Sequence, residues 1–161
     1  MTRIRRAIPE DAAALHALKW ALDEETHFMM LEPGERSPDV GPEQREIERD
    51  GVFVAEEDGE LVGYVQAERG SFRRVHHLAT IVIGVRAHAS GKGIGSALLT
   101  AAHEWAATQG ITRLQLDVDA ENTRAIALYE RFGYRIEGTK RQSMLVNGAF
   151  VDDHIMARLS V

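Results

Sequence analysis

At residues 91–96 the chain has the sequence Gly91-Lys92-Gly93-Ile94-Gly95-Ser96, between an apolar stretch and a long helical pattern. Three alternate glycines where a strand gives way to a helix leave backbone N–H groups uncovered and let a ligand approach closely. The free amides and the dipole of the following helix are directed at the same place, which favours a bound anion. The run therefore predicts a loop that binds a phosphate or pyrophosphate.

Other interpretations of this loop need a different glycine spacing. A P-loop needs four residues between its first glycine and a Gly-Lys-Ser/Thr unit, whereas Lys92 is followed by Gly93 and Gly84 is wrongly spaced. A dinucleotide-binding turn needs Gly-x-Gly-x-x-Gly directly after a strand, whereas residues 86–90 intervene here, although Asp117 lies at a suitable distance for a ribose contact. The spacing excludes the P-loop and weakens the dinucleotide site. It leaves open a flexible connector that binds nothing.

Length and composition indicate an ordinary globular protein. The 161 residues predict one domain, 1–161, with 44% hydrophobic and 27% charged residues. A net charge of -6 argues against nucleic acid as the main partner and leaves room for a cationic or amine substrate. No apolar run has the length of a membrane span, and the start of the chain lacks the apolar core of a signal peptide, so we expect no membrane partner and a cytoplasmic location.

The cysteine and histidine content restricts the chemistry. With no cysteine, the chain has no disulfide, no thiolate metal site and no thiol nucleophile. The seven histidines include no His-Glu-x-x-His motif, and neighbouring His76 and His77 would point to opposite sides of a strand. We therefore expect no metal.

Hydrophobic spacing and turn residues predict the order strand, helices, three strands, helix, strand, helix and two strands. The strands are expected at 3–8, 52–56, 61–68, 77–85, 114–118, 134–146 and 149–159, and the helices from residue 9 and at 43–49, 93–109 and 122–132. Asp58-Gly59 and Asn147-Gly148 mark hairpin turns. The order predicts an α/β (α+β) fold, a mixed sheet with helices on both faces, and residues 31–42 form either a solvated connector or a lid over the substrate.

The two helices nearest the glycine loop have apolar residues at helical spacing. In the first, one face would carry Ile94, Ala97, Leu98, Ala101 and Trp105. In the second, Ile126, Leu128 and Tyr129 would lie on or near the buried side.

Two blocks of the chain resemble the GNAT superfamily of N-acetyltransferases. The first runs from the strand residues 81–86 into Ser90-Gly91-Lys92-Gly93-Ile94-Gly95-Ser96-Ala97-Leu98-Leu99 and is similar to that superfamily's acetyl-CoA motif, Gln/Arg-x-x-Gly-x-Gly/Ala. The second, residues 122–134, is similar to the block that carries Asn, Leu-Tyr and Phe-Gly-Phe/Tyr. One departure is Ser90, which stands where Gln or Arg is usual, so a side-chain contact and some cofactor affinity are in question. The resemblance covers nearly the whole chain.

The resemblance implies a fold, a cosubstrate and a set of site residues. The fold would be a GNAT-like mixed, mostly antiparallel twisted sheet, and the cosubstrate acetyl-CoA. The backbones of Ile83 and Val85 would pair with the pantetheine arm, Asn122 would bond that arm, and Tyr129 would protonate the departing thiolate. The pyrophosphate would be held by Gly91, Lys92, Gly93, Ile94, Gly95 and Ser96.

The acceptor is less determined than the cofactor. The resemblance implies direct acetyl transfer to the primary amine of a small molecule, such as an amino acid or a polyamine-like amine. A protein N-terminus or lysine, and a non-catalytic acyl-CoA sensor, are the alternatives. Glu24, Glu25 and His77 are candidate substrate contacts, and a homodimer through the last strands is compatible with the pattern.

The general base stays unassigned at this level. Some relatives place a Glu six residues ahead of the valine that precedes the loop, but this chain has Ala79 there. A water chain or another group would therefore have to remove the proton. The candidates are Glu24, Glu25, His27, His76 and His77.

Overall fold

The computed structural model describes residues 1–160. In chain order the elements are β1 (Thr2–Arg6), α1 (Ala12–Glu25), α2 (Gly41–Arg49), β2 (Gly51–Glu57), β3 (Glu60–Arg69), β4 (Leu78–Val85), α3 (Ile94–Thr108), β5 (Arg113–Asp119), α4 (Thr123–Arg131), β6 (Arg135–Val146) and β7 (Ala149–Leu159). Short 3-10 turns lie at Pro9–Asp11, Arg73–Val75 and Ala87–Ala89. The order of helices and strands predicted from the sequence is confirmed.

The seven strands form one sheet in the order β1-β2-β3-β4-β5-β7-β6. Every neighbouring pair is antiparallel except β4 and β5, which run parallel. The parallel pair needs a crossover connection, and α3 provides it. The mixed, mostly antiparallel sheet with helices that the sequence predicted is therefore confirmed.

The parallel pair β4–β5 is joined over only a short stretch. Leu78, Ala79 and Thr80 pair with residues 113–115, and no pairing follows along the rest of β4 as far as Val85. β4 stays paired with β3 to its end, and β5 stays paired with β7 over its whole length. A gap therefore opens in the middle of the sheet towards the carboxyl ends of β4 and β5.

Helices cover both faces of the sheet. α1 and α2 pack on one face around a cluster that includes Leu15, Leu18 and Val54, and α3 packs on the other with Leu98 and Leu99. All five of these side chains are essentially buried, so each face has its own hydrophobic core. Among residues 1–160, no helix combines the length and the apolar character needed to cross a membrane.

The predicted buried face of α3 needs correction, whereas that of α4 is confirmed. In α3 the buried residues are Ile94, Leu98, Leu99, Ala102 and Ala106, whereas Ala97, Ala101 and Trp105 are only half-buried. The Trp105 ring lies at the edge of the helix and packs on Gly51, where an added Cβ would come within 2.5 Å of Trp105 Cε3. In α4, Tyr129 is buried, and Ile126 and Leu128 are half-buried and pack against the core, with Leu128 also lining the open cleft described below.

Candidate active site

The glycine loop leads into α3, whose first amides have no hydrogen-bond partner among residues 1–160. Gly91 and Gly93 adopt positive φ angles of 78° and 80°, a conformation that side chains other than glycine rarely adopt. Gly93 is the N-cap of α3, and no side chain caps that helix. The first amide to reach a carbonyl one turn back is that of Ala97, which lies 3.0 Å from the Gly93 oxygen. The N–H groups of residues 94–96 are thus available to an anion.

The end of β4 presents free backbone groups to the gap in the sheet. The Arg86 amide donates to the Val62 carbonyl of β3 at 2.8 Å. Because hydrogen-bonded pairs alternate along an antiparallel ladder, residues 84 and 82 also face β3, and Ile83 and Val85 direct their N–H and C=O groups the other way. That side of β4 has no strand partner beyond Thr80 among residues 1–160. An extended ligand could therefore pair here as an added strand does.

These two features lie in one cleft of about 680 Å³. Most of the predicted site residues line it, namely Glu25, Ile83, Val85, Gly91, Gly93, Ile94, Gly95, Ser96 and Asn122. The cleft runs from α4, across the glycine loop and the end of β4, to the end of α1 and the segment after it. Among residues 1–160, no three His, Asp or Glu side chains are grouped so that they could hold a metal ion.

Asn122 opens α4 and leaves one polar group for a ligand. Its Oδ1 accepts a hydrogen bond from the Ala125 amide at 3.2 Å, which caps the helix. The side-chain nitrogen then remains as a donor on the wall of the cleft. α4 is thus capped by its own side chain, whereas α3 is not.

Two arginines in the cleft were missed in the sequence analysis. Arg124 and Arg131 both line it from α4, and Arg124 Nη2 comes within 3.8 Å of the position that a Cβ on Gly91 would occupy. No carboxylate within residues 1–160 forms an ion pair with either arginine. Their spacing of seven residues, two helical turns, places them on one face and could have indicated a basic stripe beside the predicted Asn122.

Tyr129 lies behind the lining of the cleft rather than on its surface. Its side chain is 7% exposed, next in sequence to the lining residue Leu128, and its ring centroid is 5.7 Å from that of Tyr134. Burial raises the pKa of Tyr129 to about 12, because the charged form would lose its hydration. The hydroxyl therefore stays protonated at neutral pH.

The neighbouring Tyr134 is held by a histidine. Its hydroxyl and His103 Nε2 are 2.9 Å apart, and Tyr134 belongs to the core cluster on the α3 face whereas His103 is half-buried. Burial, with a smaller effect from Arg158, lowers the pKa of His103 to about 4, so the imidazole is neutral at physiological pH. A neutral imidazole can accept the Tyr134 hydroxyl proton, and this bond fixes the ring against which Tyr129 packs.

Glu25 has a different use from the one expected. Its carboxylate accepts hydrogen bonds from Arg86 Nε at 3.0 Å and from the Ala87 amide at 2.8 Å. These two contacts join the end of α1 to the start of the glycine loop. The carboxylate is therefore already occupied by protein donors where it lines the cleft.

Three other candidates do not line the cleft with their side chains. Lys92 Nζ is directed to Glu57, 3.3 Å away, so only its backbone belongs to the glycine loop. Glu24 accepts a hydrogen bond from Trp20 on the exposed side of α1. His77 precedes β4, at the opposite end of that strand from the glycine loop, where its carbonyl bonds the amides of residues 112 and 113.

Ser90, which stands where the acetyl-CoA motif usually has Gln or Arg, bonds within its own loop. Ser90 Oγ donates to the Arg86 carbonyl at 3.2 Å, within the same short loop. Its side chain thus stabilises the loop itself. The free groups at the start of α3 are backbone amides, which do not depend on the side chain at position 90.

Comparison with known proteins identifies relatives of the same kind. The family model described as "Acetyltransferase (GNAT) family" matches residues 15–134. An L-amino acid N-acetyltransferase of Escherichia coli is 32% identical over 120 residues, which is 73% of this chain and 74% of that protein. The crystal structure of a GNAT-family acetyltransferase from Streptococcus pneumoniae superimposes with a TM-score of 0.93 at 29% identity and covers 100% of both chains.

A further structure bears on the fold. The GNAT superfamily phosphinothricin acetyltransferase of Sinorhizobium meliloti, solved in complex with acetyl-CoA, gives a TM-score of 0.82. It is 21% identical and covers 98% of this chain and 88% of its own. The fold described above is therefore shared with proteins solved with this cosubstrate.

Proposed function

We propose, since the chain belongs to the acetyltransferase (GNAT) family, that it transfers the acetyl group of acetyl-CoA directly to the primary amine of a small molecule. One observation carries the proposal: the uncapped amides of the glycine loop and the unpaired edge of β4 open into the same cleft. An anion-binding helix start beside a free strand edge suits a ligand that joins a pyrophosphate to an amide-rich arm.

The residues of the cleft fit acetyl-CoA. The N–H groups of residues 91–96 would hold the pyrophosphate, and Arg124 would add a positive charge beside Gly91. The free N–H and C=O groups of Ile83 and Val85 would pair with the amides of the pantetheine arm, and the Asn122 side-chain nitrogen would donate to it. Each group is a hydrogen-bonding or charged partner of the kind that this ligand needs.

The reaction needs an oxyanion donor and an acid. When bound, acetyl-CoA supplies a thioester carbonyl for attack by the amine and a thiolate that leaves. The Val85 N–H faces the gap and would stabilise the charge that develops on the carbonyl oxygen. The Tyr129 hydroxyl, protonated at neutral pH, would give its proton to the leaving sulfur.

Direct transfer is the simpler route for this chain. It has no cysteine, so an acetyl group cannot pass through an enzyme thiol. The amine and the thioester would meet in one complex. Glu25 is engaged by Arg86 and Ala87 and Ala79 is buried, so the proton of the arriving ammonium would leave through ordered water.

A small-molecule amine is favoured over a protein acceptor. The similar Escherichia coli protein is named for L-amino acids, and the cleft of about 680 Å³ has a volume typical of small-molecule sites. A protein N-terminus or lysine, and a sensor that binds acyl-CoA without turnover, are the alternatives. A single domain over residues 1–161, a cytoplasmic location and the lack of nucleic-acid or membrane partners stay predictions from the sequence.

We also propose that a second copy of the chain covers the hairpin β6–β7. Leu145 and Phe150 face each other across the two strands and are 60% and 62% exposed. β6 is an edge strand, so it also offers unpaired backbone groups. An apolar pair at a sheet edge is typical of a two-fold interface in which the same patch meets itself.

A thiol-release assay tests the proposed function. The protein is incubated with acetyl-CoA and a panel of amino acids, simple amines and lysine peptides, and free CoA is followed with a chromogenic disulfide. The chain itself contributes no thiol background. We expect amine-dependent release with small amines. Thermal stabilisation by CoA without release from any acceptor would instead support the sensor.

The anion site has its own variant and a matched control. Gly93→Asp should weaken CoA binding about 100-fold or more, because it brings a carboxylate to the pyrophosphate. Gly59→Asp is the control, because it imposes the same backbone strain at a site in the β2–β3 turn. Gly59 has a φ of 79° and, like Gly93, has nothing within 4 Å of an added Cβ. Titration calorimetry should show normal affinity for Gly59→Asp. Equal losses in both variants would place the anion elsewhere.

A further inference from the structure

We propose that the acceptor amine carries an apolar substituent, which binds against Leu22, Phe28 and Met29 at the end of the cleft remote from α4. The inference rests on the proposed function and names the substrate class of that same site. Two observations support it: apolar side chains form this end of the cleft, and the charged groups near it are already bonded within the protein.

The three side chains lie on the α1 face of β4. An added Cβ on Gly84 would come within 2.7 Å of Leu22 Cδ1, so the end of α1 sits directly over this strand. Phe28 and Met29 follow in the segment after α1 and line the same cleft, with Phe28 38% exposed and Met29 packed against the core beneath α1. The wall that they form continues from the free edge of β4, where the thioester is expected.

The polar groups at this end are already bonded within the protein. The Glu25 carboxylate is engaged by Arg86 and the Ala87 amide, and Thr26 Oγ1 accepts from the Phe28 amide at 3.2 Å. Asp23, 2% exposed at its side chain, forms an ion pair with Arg36 behind the wall. Within the described part of the chain, Glu25 is the only carboxylate that lines the cleft.

The charges that remain are at the other end. Arg124 and Arg131 line the cleft from α4, on the side assigned to the cofactor. A polyamine carries two or more cations and needs carboxylates to replace their hydration, which this cleft does not supply. An aliphatic or aromatic group loses water against Leu22, Phe28 and Met29 without leaving a charge unpaired. The cleft therefore favours the second kind of amine over the first.

The test compares amines of similar size in the thiol-release assay. At saturating acetyl-CoA, L-leucine, L-methionine and 2-phenylethylamine are compared with L-aspartate and spermidine. We expect kcat/KM for the three apolar amines to exceed that for the other two by about tenfold or more, a ratio typical of a hydrophobic pocket. Faster turnover of spermidine than of L-leucine would overturn the inference while leaving the acetyltransferase function in place. No release with any amine would overturn the proposed function and this inference with it.

Variants locate the effect at this wall. Phe28→Ala should raise KM for L-leucine about tenfold and leave KM for acetyl-CoA unchanged. Met30→Ala is the matched control, because Met30 is 77% exposed and does not line the cleft. A rise in KM for acetyl-CoA with no change for the amine would assign Phe28 to the cofactor and contradict the inference.

A second variant at the same position tests the inference even if Phe28→Ala changes the structure of the segment after α1. Phe28→Glu places a carboxylate on the same wall and should shift the preference from L-leucine towards spermidine. The melting temperature of each variant reports whether it is folded. An unchanged ratio of kcat/KM for the two amines in a folded Phe28→Glu protein would contradict the inference.

Discussion

Tyr129 shows how the surroundings of one residue set its chemistry. An exposed tyrosine has a pKa near 10, but burial raises that of Tyr129 to about 12 and keeps its proton in place. The ring is fixed by Tyr134, which is itself bonded to His103. Tyr129 therefore keeps both its proton and its orientation, and its raised pKa makes it a weaker acid than an exposed tyrosine.

Tyr129→Phe should lower kcat by about 100-fold, within the range typical of general acids, and change the CoA dissociation constant little. Tyr134→Phe is the matched control, because it removes a hydroxyl from the same cluster and should lower the melting temperature with a smaller effect on kcat. Stopped-flow thiol release and calorimetry separate the two quantities.

The pH profile gives a second measurement of the same assignment. Because the folded pKa is raised, Tyr129 loses its proton only as the pH approaches about 12. The wild-type rate should therefore show no alkaline decline from this group below about pH 10. Unchanged kcat in Tyr129→Phe would remove the residue from the acid role.

Among the elements, β4 has the most specific part in the site. Its two edges behave differently: one is paired with β3 to Val85, and the other is free after Thr80. Alternation along the strand means that Gly84 bonds β3 while its neighbours Ile83 and Val85 face the gap. Backbone groups, rather than side chains, therefore carry much of the expected cofactor contact.

Ile83→Pro removes the N–H that faces the gap and keeps every hydrogen bond to β3. It should weaken CoA binding about tenfold, because the loss of one hydrogen bond costs about 1.4 kcal/mol. Ile83→Ala is the control: it loses the same packing in the core but keeps the N–H, and its CoA affinity should stay close to the wild-type value. Calorimetry on both variants measures the difference. Equal affinities would show that this amide is not used.

At the scale of the whole molecule, the cleft and the exposed apolar hairpin are separate surfaces. The cleft is lined from α1 and the segment after it, β4, the glycine loop and α4, and neither Leu145 nor Phe150 lines it. Association and catalysis should therefore respond to different substitutions.

Phe150→Glu should convert the proposed dimer to a monomer, because a carboxylate would be buried against its own copy. Phe72→Glu is the control, since Phe72 is 79% exposed in the loop between β3 and β4. Light scattering after gel filtration gives the mass, and the thiol assay should give similar kcat for both variants. A wild-type mass of one chain at micromolar concentration would contradict the dimer.

Much of the architecture was predictable from local patterns. Glycine spacing located the loop that leads into α3 at residues 91–96, and the Asp58-Gly59 and Asn147-Gly148 turns located two hairpins. The gap between β4 and β5 was not predictable, because pairing register depends on strands that are distant in sequence. For the same reason the partners of Glu25, which lie 61 and 62 residues away, could not be recognised.

Arg124 was missed for a different reason. An exposed arginine in the first turn of a helix is usually a solvated residue, and only the folded chain brings it to Gly91. The buried face of α3 was misplaced because Trp105 packs on Gly51, a contact between residues 54 positions apart that helical spacing alone cannot indicate. Long-range contacts, rather than local propensity, account for both errors.

The short junction between β4 and β5 also bears on how the protein opens. The sheet is continuous through its middle only where Leu78, Ala79 and Thr80 pair with residues 113–115. The amides of Ile83 and Val85 should therefore exchange with solvent deuterium quickly in the free protein and slowly once a ligand pairs with them. A ligand that forms hydrogen bonds in the gap between β4 and β5 links the two halves of the sheet. Part of its binding free energy therefore appears as a higher free energy of unfolding.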